Sequence, residues 1–259
     1  MTPLESVLLG LVQGLTEFLP VSSSGHLVMA QRLMGLTQEG LLFEVLVHVA
    51  TLVSVLVVYR RRVAELTLGV LRGRADAVAY AAKLAVATLP AVAAVLLFGE
   101  TLEAQFDAPR VVGVCLLLTG VALWTTRWTA PRAHAPEPGF VAALLIGCAQ
   151  AVAILPGISR SGATVATALA LGIHPVAAAE FSFLMSVAAI AGAAARMLPE
   201  LSAVPAAEVP TLAAGAAVAL VSGIAAIFLF VRLLRTLRFY RFAYYTWTVG
   251  AAFLVWLAM

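Results

Sequence analysis

Two long apolar stretches of this chain are broken in the middle by proline, glycine and serine, and nothing else in the sequence limits the fold as strongly. Residues 4–36 are interrupted at Leu19-Pro20-Val21-Ser22-Ser23-Ser24-Gly25, and residues 139–172 at Leu155-Pro156-Gly157-Ile158-Ser159-Arg160-Ser161-Gly162. A regular helix does not run through such sequence, so each stretch is expected to form two half-helices joined by irregular backbone. That backbone carries unpaired N–H and C=O groups which hydrocarbon cannot satisfy, so it must be packed inside protein or line a wet cavity. Lipid enters because six further stretches, 41–59, 81–98, 110–126, 176–198, 211–231 and 242–258, come close to membrane-span length. A span needs about 20 apolar residues, since the hydrocarbon core is roughly 30 Å thick and a helix rises about 1.5 Å per residue.

Composition closes off the alternatives. Of 259 residues, 63% are hydrophobic and 11% charged, with a mean hydropathy of +1.03. An average soluble domain carries about 25% charged residues, so there are too few here to cover a water-facing surface. A soluble enzyme and a disordered chain are excluded. So is a nucleic-acid binder, despite the net charge of +3, because the basic residues sit in short clusters between apolar runs, as in membrane proteins. The expected class is an all-α polytopic membrane protein with six transmembrane helices plus two re-entrant broken-helix segments, surrounded by membrane lipids and with no nucleic acid as partner. Met1-Thr2-Pro3-Leu4-Glu5 has neither a charged leader nor a cleavage site, so residue 1 is expected in the mature chain. Cys115 and Cys148 lie in apolar stretches and are expected to be buried free thiols.

The arginines orient the spans. Eleven of the 15 lie in segments 60–80, 123–137 and 232–241, whereas loops 99–109 and 199–210 carry Glu100, Glu103, Asp107, Glu200 and Glu208. With the arginine clusters cytoplasmic, the six spans alternate without conflict. The first broken segment then dips in from outside and the second from the cytoplasm, with both termini outside.

The two broken segments also match each other at a constant offset of 137: Gly10 with Gly147, Gln13 with Gln150, Ser22 with Ser159, Ser24 with Ser161, Gly25 with Gly162 and Gly35 with Gly172. Each half holds one broken segment and three spans, an odd number, so the second half is expected upside down relative to the first. The reading is a single membrane domain over 1–259 made of repeat 1 (1–122), a linker (123–137) and repeat 2 (138–259), an inverted-topology repeat with its site where the breaks meet.

The breaks hold chemistry as well as helix ends. Second half-helices starting near Ser22–Ser24 and Ser159–Ser161 present unpaired N–H groups suited to phosphate. Arg160, in an apolar region, needs a partner, either a phosphate or a salt bridge to Glu17. Glu17 follows Gln13 by four, so both share one helix face and could hold a divalent cation. His26 follows Ser22 by four and Ser23 by three, placing imidazole and hydroxyls on one side. Hydroxyl, imidazole, carboxylate and arginine are the groups that move a phosphoryl group, although Ser22 and Ser161 could equally be N-caps. Glu44 and His48 are expected as a packed hydrogen-bonded pair, with support of the site as the other reading. Glu180 and Arg196 read as interfacial, and the arginines of 232–241 with Tyr240, Tyr244 and Tyr245 as a lipid anchor and aromatic belt.

These residues carry a family resemblance over essentially the whole chain. Gln13-Gly14-Leu15-Thr16-Glu17-Phe18-Leu19-Pro20-Val21-Ser22-Ser23-Ser24-Gly25-His26 resembles the first signature of the undecaprenyl-diphosphate phosphatase (bacitracin-resistance) family, and Pro156-Gly157-Ile158-Ser159-Arg160-Ser161-Gly162-Ala163-Thr164 the second. The resemblance implies hydrolysis of undecaprenyl diphosphate to the monophosphate and phosphate. It also implies a divalent cation (Mg2+ or Ca2+), and a bacterial inner-membrane location with the site open to the periplasm. By motif position it implies Glu17, Ser23, His26 and Arg160 as catalytic, with Ser23 or His26 attacking phosphorus. Ser22, Ser159, Arg160, Ser161, Gly162 and Thr164 would hold the diphosphate, and Glu17 with Gln13 the cation. Ser24 stands where threonine is common, Ala50 where glycine is usual and Val187 where proline is usual. The rival reading is a transporter or flippase of polyprenyl phosphate or another anion, which inverted repeats with broken helices also suit. A homodimer is allowed for, with no residue pattern specifying it.

Overall fold

The computed structural model describes residues 1–36, 41–106, 108–201 and 205–259, with side chains at all of these except 41, 42, 193 and 196–201. Asp107, Arg196 and Glu200, read above as loop and interface residues, therefore lie outside the described side chains. In chain order the helices are α1 (Pro3–Phe18), α2 (Ser23–Leu33), α3 (Leu41–Val58), α4 (Arg60–Leu71), α5 (Ala75–Glu103) and α6 (Pro109–Thr129), then α7 (Phe140–Val152), α8 (Arg160–Ala170), α9 (Pro175–Leu201), α10 (Val209–Arg235) and α11 (Phe242–Trp256). Among the described residues the only extended pairing is an isolated bridge between Ala135 and Ile173.

Local chemistry sets the ends of the broken helices. Thr2 opens α1 with a reciprocal cap: its Oγ1 accepts from the Glu5 amide, and the Glu5 carboxylate accepts from the Thr2 amide at 2.7 Å. The helix stops at Phe18 because Leu19, preceding Pro20, is held extended at φ −63°, ψ 146°. Ser22 and Ser159 cap α2 and α8, each accepting the amide N–H three residues on, from Gly25 and Gly162. Both helices then end on a glycine with positive φ, Gly35 at 69° and Gly172 at 84°.

Helices α1 and α10 lie side by side with almost no space between them. Ser6 Oγ donates to the Thr211 carbonyl at 2.6 Å, and a Cβ added at Gly10 would run into the Gly215 backbone. Helix α7 meets α5 in the same manner, with Gly147 against the backbone of Ala87. Each broken segment thus leans its first half-helix on a helix from the other half of the chain. An aromatic chain, Phe18 to Phe183 (5.4 Å), Phe183 to Phe230 (5.1 Å) and Phe230 to Phe239 (5.3 Å), ties the end of α1 to α9 and α10. Edge-on aromatic contacts of this kind are each worth about 0.5–1.5 kcal/mol beyond the area they bury. The residue before Phe18 is Glu17, so this anchor also fixes the site.

Among the described residues four helices are long and apolar enough to cross a membrane: Ala75–Glu103, Pro109–Arg132, Pro175–Gly192 and Val209–Arg235. Phe43–Val58 and Arg60–Leu71, joined at a 78° bend, make a fifth if taken as one span. The expected sixth, 242–258, is helical over 15 residues, or about 22 Å at 1.5 Å per residue, which crosses the membrane only if the bilayer thins locally around it. Large apolar side chains cover the outside, among them Leu96 (79% exposed), Val141 (75%) and Val221 (67%), as lipid permits and water does not. The chain is a multi-pass membrane protein.

The arginine-rich segment 60–80 contains helix α4 and the start of α5. Two expectations are corrected. Cys115 is buried, but Cys148 faces outward from α7. Glu180 is not simply solvated: Arg62 Nε donates to its carboxylate at 2.9 Å.

Candidate active site

The two breaks meet, and a small set of hydroxyls holds them together. Ser22 Oγ accepts from its own cap partner Gly25 (3.3 Å) and, across the junction, from the Gly157 amide (3.1 Å). Ser161 Oγ donates back to the Leu19 carbonyl at 3.2 Å. From α6, Thr119 Oγ1 donates to the Gly157 carbonyl (2.9 Å) and accepts from the Ser159 amide (3.0 Å). Gly157 adopts φ +96° and sits so close to Val112 and Cys115 that a side chain would clash. Irregular backbone inside a membrane protein is thereby satisfied by protein groups, as it has to be.

Glu17 lies at the centre of this junction, with 8% of its surface exposed. Arg160 Nη2 donates to Oε1 as an ion pair joining the two broken segments. Oε2 accepts from Ser23 Oγ at 2.5 Å and from Gln13 Nε2 at 3.1 Å, and His48 Nε2 stands 3.8 Å away. Two buried polar atoms at this centre have no partner among the described residues, Arg160 Nη1 and Gln13 Oε1. A guanidinium edge and an amide oxygen in so buried a place are groups that a bound ligand would satisfy.

His26 is held apart from this cluster. Its Nδ1 donates to the Ser22 carbonyl at 2.8 Å, and its Nε2 pairs with the Tyr245 hydroxyl at 2.9 Å. No hydrogen bond joins His26 to Ser23; the group on the Ser23 hydroxyl is the Glu17 carboxylate. The expected Glu44–His48 side-chain pair is also absent. His48 Nδ1 donates to the Glu44 backbone carbonyl (2.6 Å), which turns its Nε2 toward Glu17, while the Glu44 carboxylate takes Gln31.

The residues expected to hold a diphosphate divide in two. Ser22, Ser159, Ser161 and Thr164 are buried to 3% exposure or less, with their hydroxyls engaged in the junction or, for Thr164, with Ser182 Oγ at 2.7 Å and the Arg160 carbonyl. The Gly162 amide serves the Ser159 cap. Of that set only Arg160 is partly exposed and so able to meet a ligand, as are its neighbours Ser23, Ser24, His26 and His48 from outside the set. Sequence reasoning missed Thr119, the orientation of His48, and Tyr245 as a site neighbour; no local pattern marks them, because each acts across a long separation in the chain.

A divalent cation fits this centre only in company. Among the described residues no group of three or more His, Cys, Asp or Glu side chains forms a ready cation cage. One carboxylate, from Glu17, stands beside the unpartnered Gln13 Oε1. That is the sparse set of oxygen donors Mg2+ accepts when substrate phosphates complete its shell.

The fold and site together define a multi-pass helical membrane protein with a carboxylate, a hydroxyl and a guanidinium gathered where two broken helices touch. Comparison with known proteins narrows the class. Residues 6–252 match the family model of the bacitracin resistance protein BacA, and the chain belongs to that family. It is 41% identical over 260 residues to an undecaprenyl-diphosphatase of Syntrophotalea carbinolica, covering 98% of both chains. It is 42% identical over 266 residues to one of Salinibacter ruber, covering 96% of this chain and 97% of the relative. It is 40% identical over 258 residues to one of Christiangramia forsetii, covering 97% of each.

Proposed function

We infer that this chain is an integral membrane undecaprenyl-diphosphatase, hydrolysing undecaprenyl diphosphate to undecaprenyl phosphate and phosphate and so recycling the lipid carrier of cell-wall synthesis. The observation that carries the reading is the buried Glu17 carboxylate, bonded on one oxygen to Arg160 and on the other to Ser23.

The proposed reaction uses those bonds. Ser23 Oγ attacks the terminal phosphorus and its proton passes to Glu17 Oε2, to which it is already bonded. The bond from that phosphorus to the bridging oxygen breaks, and undecaprenyl phosphate leaves. Arg160, swinging its unpartnered Nη1 edge onto the phosphoryl oxygens, stabilises the charge carried there in the transition state. Water then attacks the phosphoserine and gives a proton to His26, while Glu17 returns its own to Ser23 Oγ and phosphate departs. Attack by His26 instead would leave the adduct on imidazole. Gln13 and Glu17 would hold a divalent cation, which when bound supplies further charge neutralisation to the diphosphate oxygens. The site is assembled within one chain, so a homodimer is not required to complete it.

The same proposal places the chain in the bacterial inner membrane with six spans and two re-entrant segments, arranged as inverted repeats 1–122 and 138–259. Supporting it are the matched caps at Ser22 and Ser159, the matched glycine packing at Gly10 and Gly147, and the clustering of arginines at three cytoplasmic segments, which leaves the site open to the periplasm. Transport of an anion would use the same scaffold but has no need of a serine hydroxyl on a buried carboxylate. Phosphate release from undecaprenyl diphosphate by the purified protein in detergent separates the two. Hydrolysis lost in Glu17→Ala and Arg160→Ala is expected; absent hydrolysis with lipid crossing vesicle membranes contradicts the phosphatase.

A further inference from the structure

We propose that Tyr245 is a positioning residue for this reaction, holding the His26 imidazole in one tautomer and one ring plane. The inference rests on the phosphatase reading above.

A backbone carbonyl can only accept, so the 2.8 Å contact between His26 Nδ1 and the Ser22 carbonyl places a proton on Nδ1. In the neutral ring Nε2 is then the acceptor, and the Tyr245 hydroxyl, 2.9 Å away, donates to it. The two rings are also near-parallel, 5.7 Å between centroids and 8° between planes, so the tyrosine ring lies alongside the imidazole and fixes its tilt as well as its lone pair. The other anchor is equally constrained. The Ser22 carbonyl is aimed by a backbone at φ +69°, ψ 98°, and Ser22 Oγ is tied to the Gly157 amide of the opposite break. Such a φ is uncommon for any residue but glycine, and it persists only where surroundings over-determine it. Among the described residues His26 has no other side-chain hydrogen-bond partner. Its orientation therefore depends on a carbonyl from the first break and a hydroxyl from α11, a helix that belongs to neither broken segment. The basic nitrogen is Nε2, and Tyr245 keeps it so until a phosphate or water takes the hydroxyl's place.

The test is Tyr245→Phe, which keeps the ring alongside the imidazole and removes only the hydroxyl. The chain has four histidines, so 15N-histidine spectra of the full-length protein in detergent are resolvable, with His26→Asn identifying the resonance. Wild type is expected to show His26 with a protonated Nδ1 and an acceptor-type Nε2. In Tyr245→Phe the His26 signals alone shift toward a mixture of tautomers. In the same protein kcat for undecaprenyl diphosphate falls about tenfold while KM stays within about twofold, a part of the roughly 10²–10⁴-fold that a positioned acid–base group contributes. Tyr245→Ala, which also loses the ring, falls further. An unchanged His26 spectrum, or an unchanged kcat in Tyr245→Phe, overturns the proposal. The spectrum reads the contact whether or not the protein turns over this lipid, so failure here is distinguishable from failure of the phosphatase reading.

Discussion

The two broken segments share a framework and differ in chemistry. Ser22 and Ser159 cap their helices identically, Ser24 and Ser161 each lie within 3.4 Å of the capping hydroxyl, and Gly35 and Gly172 end the helices with positive φ. At the same offset, Glu17 faces Ile154 in the other segment, Ser23 faces Arg160, and His26 faces Ala163. Gln13 matches Gln150, yet Gln13 donates to Glu17 whereas both polar atoms of Gln150 are buried without a partner among the described residues. Gln13 apart, the residues that match build the junction, and those that do not match are the ones to which the proposed reaction assigns chemistry. A repeat of this kind supplies two equal frames, and function arises where one frame has been altered to complement the other.

The largest expected effects are at unmatched positions. Glu17→Gln and Arg160→Ala should each lower phosphate release about a thousandfold or more, since each removes a charge that acts on the transferring group in a low-dielectric site. Arg160→Ala should also lower the thermal unfolding midpoint in detergent, because it leaves Glu17 buried and unpaired. Ser23→Ala should cost about a hundredfold or more in kcat, while Ser24→Ala, on the matched framework, should stay within about tenfold. If Ser24→Ala proves the more damaging, the division fails. Next come the caps: Ser22→Ala and Ser159→Ala should destabilise by about 1–2 kcal/mol each, read by thermal unfolding. Ser22→Ala should be the worse, because its Oγ also accepts from Gly157. Smallest is Gln150→Leu, which exchanges a buried unpaired amide for an apolar side chain; stability should hold or rise by about 1 kcal/mol with phosphate release unchanged, whereas Gln13→Leu should impair release.

Much of this was visible in the sequence. Pro20 and Pro156 with their flanking serines and glycines marked both breaks, and the buried cost of an unpaired guanidinium pointed from Arg160 to Glu17. Local rules reached that far because they depend on backbone propensity and on charge. They could not say which hydroxyl faces the ligand. Ser22, Ser161 and Thr164 look chemically equal to Ser23 along the chain, and only the packing of one break on the other buries three and leaves one open. Tyr245 was hidden among aromatics that suit a lipid interface, 219 residues from His26. His48 was misassigned for a similar reason: an i,i+4 spacing allows a pair with Glu44, but a bond to the backbone carbonyl freed the ring to face Glu17.

The account stands on the two breaks touching inside the membrane. A Cβ at Gly162 would lie 3.4 Å from the Pro20 Cβ, close to the spacing of about 3.5–4.5 Å that a disulfide spans. Pro20→Cys with Gly162→Cys, placed in a chain whose Cys115 and Cys148 are changed to alanine, should therefore cross-link in native membranes under mild oxidation and release on reduction. Two thiols that remain free and open to alkylation under the same oxidant would mean that these hairpins do not meet, and that Glu17 and Arg160 do not share one site.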